Sequence, residues 1–173
     1  TFSTGCATSC TACSPGSYID AAGASACTTC AKGTFSSKSA AICTAAPSGK
    51  YISTTGATEP TLIPAGFYGN ATSTTSYSLR CEAGTYSLPG AVACIVCSPG
   101  SYSGVGSTEC TKCSPGTYAS GLKSTTCKAA FAGTYVPLEG GSAVIQCPAG
   151  SYINNDGAST HVQCPVGTWS AAG

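Results

Sequence analysis

A glycine followed two positions later by an aromatic residue recurs along the chain at intervals of sixteen to eighteen residues. A fixed short period of this kind is typical of repeat proteins, in which each unit is completed by packing on its neighbours. The anchor glycines are Gly16, Gly33, Gly49, Gly66, Gly84, Gly100, Gly116, Gly133, Gly150 and Gly167. The aromatic residues in register with them are Tyr18, Phe35, Tyr51, Tyr68, Tyr86, Tyr102, Tyr118, Tyr135, Tyr152 and Trp169. We expect this aromatic ladder to have a structural role, because one ring per unit buries much area.

The residues around each anchor glycine predict a turn. Pro often precedes the glycine, as in SPG at 14–16, and the glycine is suited to a positive φ. A second glycine commonly follows five to seven residues later, at Gly23, Gly56, Gly90, Gly106, Gly121 and Gly157. Each unit is therefore predicted to be two short extended segments around a turn, and a hairpin of that size needs further support.

The composition indicates what that support is. The chain of 173 residues contains 14 Cys and 22 Gly, with only 7 basic and 6 acidic side chains. Leu, Ile, Val and Phe are too scarce for a large hydrophobic core, and small domains that lack one are usually held together by disulfides. Because disulfides persist in oxidising compartments, we expect an extracellular protein, either secreted, on the cell surface or in a matrix.

The cysteines occupy two positions of the repeat. The opening position lies three residues before the anchor glycine, and the closing position lies three residues before the next opening position, so a filled pair reads CxxC. Bonds within each CxxC would leave five half-filled pairs, whereas bonds between the opening and closing positions of one unit leave only Cys147, which faces His161. The second scheme predicts disulfides Cys13–Cys27, Cys30–Cys43, Cys81–Cys94, Cys97–Cys110 and Cys113–Cys127.

Four cysteines fall outside this scheme, and their pairing stays open. They are Cys6, Cys10, Cys147 and Cys164. In a head-to-tail array of copies, Cys6 would follow Cys164 at close to the normal interval, which suggests an inter-subunit disulfide. The alternatives are a segment of a longer repeat chain, or bonds Cys147–Cys164 and Cys6–Cys10.

Two other kinds of cysteine chemistry fit the pattern less well. Paired CxxC hooks can form a zinc site, and two sets have that spacing: Cys10, Cys13, Cys27 and Cys30, and Cys94, Cys97, Cys110 and Cys113. However, the glycine and aromatic register continues through units that contain no cysteine, so the cysteines belong to the repeat. A redox dithiol uses one reactive CxxC on a packed α/β scaffold, which this sequence does not suggest. We predict neither a metal nor a cofactor.

The pattern of the remaining polar residues does not indicate an enzyme. His161 is the only histidine and stands at a closing cysteine position, and the six carboxylates are far apart in sequence. The net charge is only +1, and the charged residues stand singly along the chain. The sequence therefore has no basic stripe, which argues against nucleic acid as a partner. No apolar run reaches the length of about 20 residues that a membrane span needs.

One modification motif is present. Asn70 begins the sequence NAT, which is an acceptor for N-linked glycosylation in a secreted protein. The abundant Ser and Thr could also carry O-linked sugar.

Four segments carry a resemblance to a known repeat type. They are CSPGSYIDAAGASACTTC (13–30), CEAGTYSLPGAVACIVC (81–97), CSPGSYSGVGSTECTKC (97–113) and CSPGTYASGLKSTTC (113–127). In their combined spacing of Cys, Gly and aromatic residues they resemble ephrin-receptor-like cysteine-rich repeats, and are similar to the single-disulfide module of tumour necrosis factor receptors. The resemblance implies an elongated row of small disulfide-linked β modules, a scaffold that serves receptors, adhesins and surface coats alike.

We therefore expect a small disulfide-rich, all-β fold: an elongated tandem array of repeats of about 17 residues without a large hydrophobic core. Four segments are distinguished: disulfide-linked repeats at 1–45 and 81–129, cysteine-free repeats at 46–80 and partly stapled repeats at 130–173. The sequence favours a stiff, glycosylated structural rod that assembles with copies of itself, or with other surface and matrix proteins, into a fibre or coat. The alternative is a ligand-binding or adhesive ectodomain segment of a receptor, with a binding patch formed by Leu62, Ile63, Phe67 and Tyr77.

Overall fold

The computed structural model describes residues 10–77 and 79–172. Within these ranges the regular elements are two-residue strands, and no residue is helical. The strands are β1 Ser17–Tyr18, β2 Thr28–Thr29, β3 Thr34–Phe35, β4 Thr44–Ala45, β5 Lys50–Tyr51, β6 Thr61–Leu62, β7 Phe67–Tyr68, β8 Leu79–Arg80, β9 Thr85–Tyr86, β10 Ile95–Val96, β11 Ser101–Tyr102, β12 Thr111–Lys112, β13 Thr117–Tyr118, β14 Lys128–Ala129, β15 Thr134–Tyr135, β16 Ile145–Gln146, β17 Ser151–Tyr152 and β18 Val162–Gln163. The fold is the small disulfide-rich all-β class that the sequence predicts.

Each odd-numbered strand pairs with the next strand in an antiparallel two-stranded sheet, as in the register Tyr18↔Thr28. A turn centred on the anchor glycine precedes the first strand of each pair. The amide of Ser17 donates to the carbonyl of Ser14 at 3.1 Å, and Gly16 between them has a φ of 83°. This is the third position of a type II turn, where a side chain would be strained, which explains why the glycine recurs.

A second left-handed residue follows each anchor glycine from Gly16 to Gly150 by six or seven positions. These residues are Gly23, Ser39, Gly56, Ser73, Gly90, Gly106, Lys123, Gly140 and Gly157. The second glycines noted in the sequence stand at this position except in one unit, where Lys123 rather than Gly121 takes the positive φ. Gly140, Ser39 and Ser73 take it in the three remaining units. The position along the hairpin therefore fixes the backbone conformation, and three units adopt it without a glycine.

The chain divides into two compact units. The first comprises Thr1–Ile63 with Gly69–Tyr77, and the second comprises Pro64–Tyr68 with Ser78–Gly173. In the first unit, backbone hydrogen bonds join each repeat to the next: the amide of Gly16 donates to the carbonyl of Ser36 at 2.9 Å, and that of Gly33 to Ile52 at 3.0 Å. In the second unit the same bond recurs, for example from Gly84 to Ser103 at 2.8 Å.

Repeats also contact the repeat after next. In the first unit the carbonyl of Gly56 lies against the α-carbon of Gly16, so closely that a Cβ there would collide with it. In the second unit Gly66 meets Gly106 and Gly116 meets Gly157 in the same way. The anchor glycine therefore serves two purposes: it supplies the turn, and it lets the backbone of a later repeat approach. Contacts of this range go beyond the nearest-neighbour packing expected of a simple repeat row.

Two positions of the repeat build the core in both units. One is the opening cysteine position; the other, here named the inner position, lies three residues after the anchor glycine. Their side chains are in direct contact, as shown by the 3.4 Å between Cys97 Sγ and Ser103 Oγ. Where a disulfide fills the opening position of a described repeat, the inner residue is mostly Ser or Ala. Where Ala46 or Ala130 replaces the cysteine, the inner residue is the larger Ile52 or Val136, all buried.

Candidate functional site

The five disulfides in the structure are those predicted from the sequence: Cys13–Cys27, Cys30–Cys43, Cys81–Cys94, Cys97–Cys110 and Cys113–Cys127. Their Cα–Cα distances are 5.7 or 5.8 Å, in the usual range for a disulfide. The opening cysteine of each pair is buried, which places the bond between the core and the hairpin end. In the CxxC pairs at 27–30, 94–97 and 110–113 the two members belong to different disulfides, and in the pair at 10–13 Cys13 is bonded to Cys27. These cysteines are therefore not available as paired hooks for zinc.

Three cysteines carry no disulfide in the described part of the chain. Cys10 is exposed, Cys147 is buried and Cys164 is partly buried. The alternative bond Cys147–Cys164 is therefore not formed. Cys6 lies outside the described residues, and so do the two bonds suggested for it, to Cys10 and to Cys164.

The closing position opposite Cys147 holds a histidine instead of a cysteine. The thiol is 2 % exposed at an opening position, and His161 occupies the closing position, directly before strand β18. The His161 ring packs edge-on against Tyr135, with centroids 5.2 Å apart, and its Nδ1 is buried without a hydrogen-bond partner among the described residues. No carboxylate or hydroxyl orients this imidazole in the described structure, so the arrangement lacks the third group of a nucleophilic site.

The aromatic ladder is partly covered along most of its length. The rings from Tyr18 to Tyr135 have intermediate burial, whereas Tyr152 is 43 % and Trp169 is 85 % exposed. In the first unit Tyr51 packs edge-on against Tyr77 with centroids 5.0 Å apart. The rings thus contribute to packing, and Trp169 leaves a large apolar surface in solvent.

The patch suggested for the cysteine-free repeats is not formed as predicted. Ile63 is 1 % exposed and fills the core position that a cysteine holds elsewhere. Leu62 is half exposed, and Tyr77 covers Tyr51. Packing therefore replaces the missing disulfides, because a buried isoleucine supplies apolar area where two cysteines are absent.

Asn70 of the NAT motif is exposed, as is Thr72. The carbonyl of Asn70 accepts a hydrogen bond from Ser48 Oγ at 3.1 Å, which fixes the backbone and leaves the side chain in solvent. An exposed side chain on a loop meets the steric requirement for glycosylation.

A surface groove recurs in the second unit at equivalent positions of successive repeats. Each copy is lined by a ladder ring, the residue before an opening cysteine, the Ser or Thr after the next anchor glycine, and a closing cysteine. The copies are lined by Tyr68, Arg80, Glu82, Thr85, Ala93, Cys94 and Lys123; by Tyr86, Ile95, Val96, Ser98, Ser101, Glu109 and Cys110; and by Tyr102, Thr111, Lys112, Ser114, Thr117, Thr126 and Cys127. We name the first of these the Arg80 groove.

The Arg80 groove has a volume of about 400 Å³ and an uncommon set of charges for this chain. Arg80 is the only arginine in the sequence, and its guanidinium stacks over the Phe67 ring at 5.3 Å from the centroid. Lys123 Nζ donates to Glu82 Oε2 at 2.8 Å. This hydrogen bond, followed by the charge of the ammonium, lowers the pKa of Glu82 below the ordinary glutamate value.

No group of three or more His, Cys, Asp or Glu side chains in ranges 10–77 and 79–172 could hold a metal ion. No helix in those ranges is long and apolar enough to span a bilayer.

Comparison with known proteins gives no family. No protein-family model matches the chain, and no curated protein matches it significantly in sequence. The resemblance to ephrin-receptor-like repeats therefore rests on the residue pattern alone.

Proposed function

We propose that the protein is an extracellular, non-catalytic structural protein. Its repeats form a stiff, glycosylated rod that assembles head to tail with copies of itself into a fibre or a cell-surface coat. The five disulfides support the extracellular localisation, since such bonds persist in an oxidising environment.

The observation that carries this proposal is the constancy of the bonds between repeats. The amide of each anchor glycine from Gly16 to Gly150 donates to the inner-position carbonyl of the next repeat, whether or not a disulfide is present. Gly49, in a cysteine-free repeat, donates to Gly69 at 2.8 Å, and Gly100, in a stapled repeat, donates to Ala119 at 2.7 Å. A scaffold maintained in this way resists bending within each unit, which suits a structural role.

Exposed apolar residues support the assembly part of the proposal. Trp169 is 85 % exposed and Val166 is fully exposed, whereas the ladder rings from Tyr18 to Tyr135 are partly covered. Large apolar groups in solvent commonly mark interaction surfaces. A repeat that packs on a repeat of another copy makes a heterologous contact, and such contacts propagate into open filaments.

The test is sedimentation velocity and negative-stain electron microscopy of the oxidised chain over a range of concentrations. We expect filaments that grow with concentration, and we expect Trp169→Ser to weaken their formation at least tenfold. Leu138→Ser is the matched control, because Leu138 is 74 % exposed but is not a ladder residue. A chain that stays monomeric at all concentrations, or equal effects of both substitutions, would contradict head-to-tail assembly.

A further inference from the structure

We propose that the Arg80 groove binds the carboxylate of an acidic saccharide. This inference is independent of assembly, because the groove lies on the surface of the second unit and includes neither Val166 nor Trp169. It adds a recognition site to a scaffold whose other grooves lack an arginine.

The Arg80 guanidinium is positioned for a planar anion. Its place opposite Phe67 in the register of β7 and β8 puts the two side chains together, and stacking on the ring holds the guanidinium in one orientation. No carboxylate of the described residues lies within 4 Å of it, since the ion pairs there are Lys112–Glu139 and Lys123–Glu82. A fixed guanidinium without a carboxylate partner is suited to bind a carboxylate through two parallel hydrogen bonds.

Lys123 supplies a second positive charge to the groove, and the carboxylate of Glu82 offsets part of the total positive charge. The ion pair of 2.8 Å holds the ammonium at the groove, so that Arg80, Lys123 and Glu82 together carry a net charge of +1. A ligand with a single carboxylate balances this charge. A ligand with several closely spaced anionic groups would be repelled by Glu82, which argues against a polyphosphate.

The remaining lining favours a sugar over an acidic peptide. The Tyr68 ring provides a flat apolar surface, and Thr85 adds a hydroxyl whose proton is donated to the Glu82 carbonyl at 2.7 Å, leaving its oxygen as an acceptor. The volume of about 400 Å³ fits a ligand of one or two sugar rings. A sugar can place one apolar face on the ring and its hydroxyls on the polar rim, whereas a short acidic peptide has no comparable flat face to lay on the ring.

The neighbouring groove provides a matched control. Lys112 stands at the position equivalent to Arg80, in a groove lined by Tyr102, Thr117 and Thr126, but its ammonium is paired with Glu139 at 3.1 Å. A general attraction of anions to basic side chains would depend on both residues. A site built on the free guanidinium depends on Arg80 alone.

The experiment is a titration of the isotope-labelled, oxidised chain with galacturonate, which carries one carboxylate, followed by NMR shifts of the groove amides. We expect saturable shifts at residues 80–85 and 123, with galactose, the matching uncharged sugar, causing none. Arg80→Gln should weaken binding at least tenfold, Lys112→Gln should leave it unchanged, and Glu82→Gln should strengthen it. Amide shifts outside the groove serve as the check that each variant is folded.

Several outcomes would overturn the proposal. They are the absence of saturable shifts at 20 mM galacturonate, equal binding of galactose, or equal losses in the Arg80 and Lys112 variants. Tighter binding of the dipeptide Gly-Glu than of galacturonate would assign the groove to acidic peptides instead.

Discussion

Cδ1 of Ile63 lies 2.5 Å from the place that a Cβ of residue 69 would occupy. The side chain of Ile63 therefore fills space that is open only because residue 69 is a glycine. Ile63 stands at an opening cysteine position and Gly69 at the inner position of the same repeat. The pair is the reverse of Ala46 with Ile52, and of Ala130 with Val136, in two other repeats that lack a disulfide. The sum of the two side-chain volumes is thus roughly conserved.

This complementarity predicts a strong coupling between the two positions. Gly69→Val should destabilise the fold by about 1–3 kcal/mol through overpacking. Ile63→Ala should cost about 2–5 kcal/mol through the cavity it leaves. The double variant recreates the Ala–Val pair of positions 130 and 136, and we expect it to recover most of both losses. Urea unfolding of the four proteins gives the coupling energy, and additive losses would contradict the packing described here.

The two glycines of the first repeat allow steric contact to be separated from backbone strain. Gly16 and Gly23 have φ values of 83° and 79°, but a Cβ on Gly16 would collide with the Gly56 carbonyl, whereas a Cβ on Gly23 meets nothing within 4 Å. Gly23→Ala should cost only the strain of the left-handed region, about 1–2 kcal/mol. Gly16→Ala should cost clearly more, because two repeats must separate. Equal changes in the free energy of unfolding would show that the contact between alternate repeats is unimportant.

A sixth disulfide should form when a cysteine is introduced opposite the unpaired thiol of Cys147. His161 stands at the closing position, with the same sequence separation of 14 that Cys13–Cys27 bridges. The variant His161→Cys should therefore form a bond to Cys147 and stabilise the protein by about 3 kcal/mol, mainly by restricting the unfolded chain. Non-reducing peptide mapping identifies the bond, and unfolding measurements compare it with His161→Ser, which removes the imidazole without adding a thiol. Free thiols at both positions would show that this hairpin differs from the stapled ones.

The disulfide pairing could be predicted from the sequence because, in units without a disulfide, the opening and the closing cysteine are usually absent together. Where Ala46 has replaced an opening cysteine, Pro60 has replaced the closing one. The left-handed position of Lys123 could not be read in the same way, because a nearby Gly121 has the stronger intrinsic preference for positive φ. There the geometry of the hairpin overrides the local preference.

The contacts between alternate repeats and the Arg80 groove were also beyond the sequence. A repeat period gives the length of a unit but not which later unit the backbone meets, so the approach of Gly56 to Gly16 could not be foreseen. Arg80 and Lys123 are 43 positions apart and appear as isolated charges in the sequence. Only the packing of nonadjacent repeats brings them to one groove.

The Glu82–Lys123 ion pair predicts a pH dependence. The hydrogen bond from Lys123, and then its charge, lower the pKa of Glu82, so the folded state favours the carboxylate. The pair therefore contributes to stability above the ordinary glutamate pKa, and its contribution is lost as the pH falls through the lowered pKa of the folded state. An NMR titration of the Glu82 side-chain carboxyl should give a midpoint below the ordinary value, and Lys123→Gln should raise it. A midpoint unchanged by that substitution would exclude Lys123 as the cause. Both side chains are well exposed, so the effect should weaken in high salt.

Asn70 is predicted to carry an N-linked glycan when the chain passes through a eukaryotic secretory pathway. Its side chain is exposed, the Thr72 hydroxyl needed for recognition is exposed as well, and Ser48 holds the Asn70 carbonyl in place. Intact mass before and after enzymatic removal of N-glycans should differ for the natural sequence. It should not differ for Asn70→Gln or Thr72→Ala. Because the side chain makes no contribution to the core, the unglycosylated variants should unfold within about 0.5 kcal/mol of the deglycosylated protein, as is usual for surface substitutions. Secreted protein with an unmodified Asn70 would contradict the prediction, and solubility would then have to come from the polar Ser and Thr surface alone.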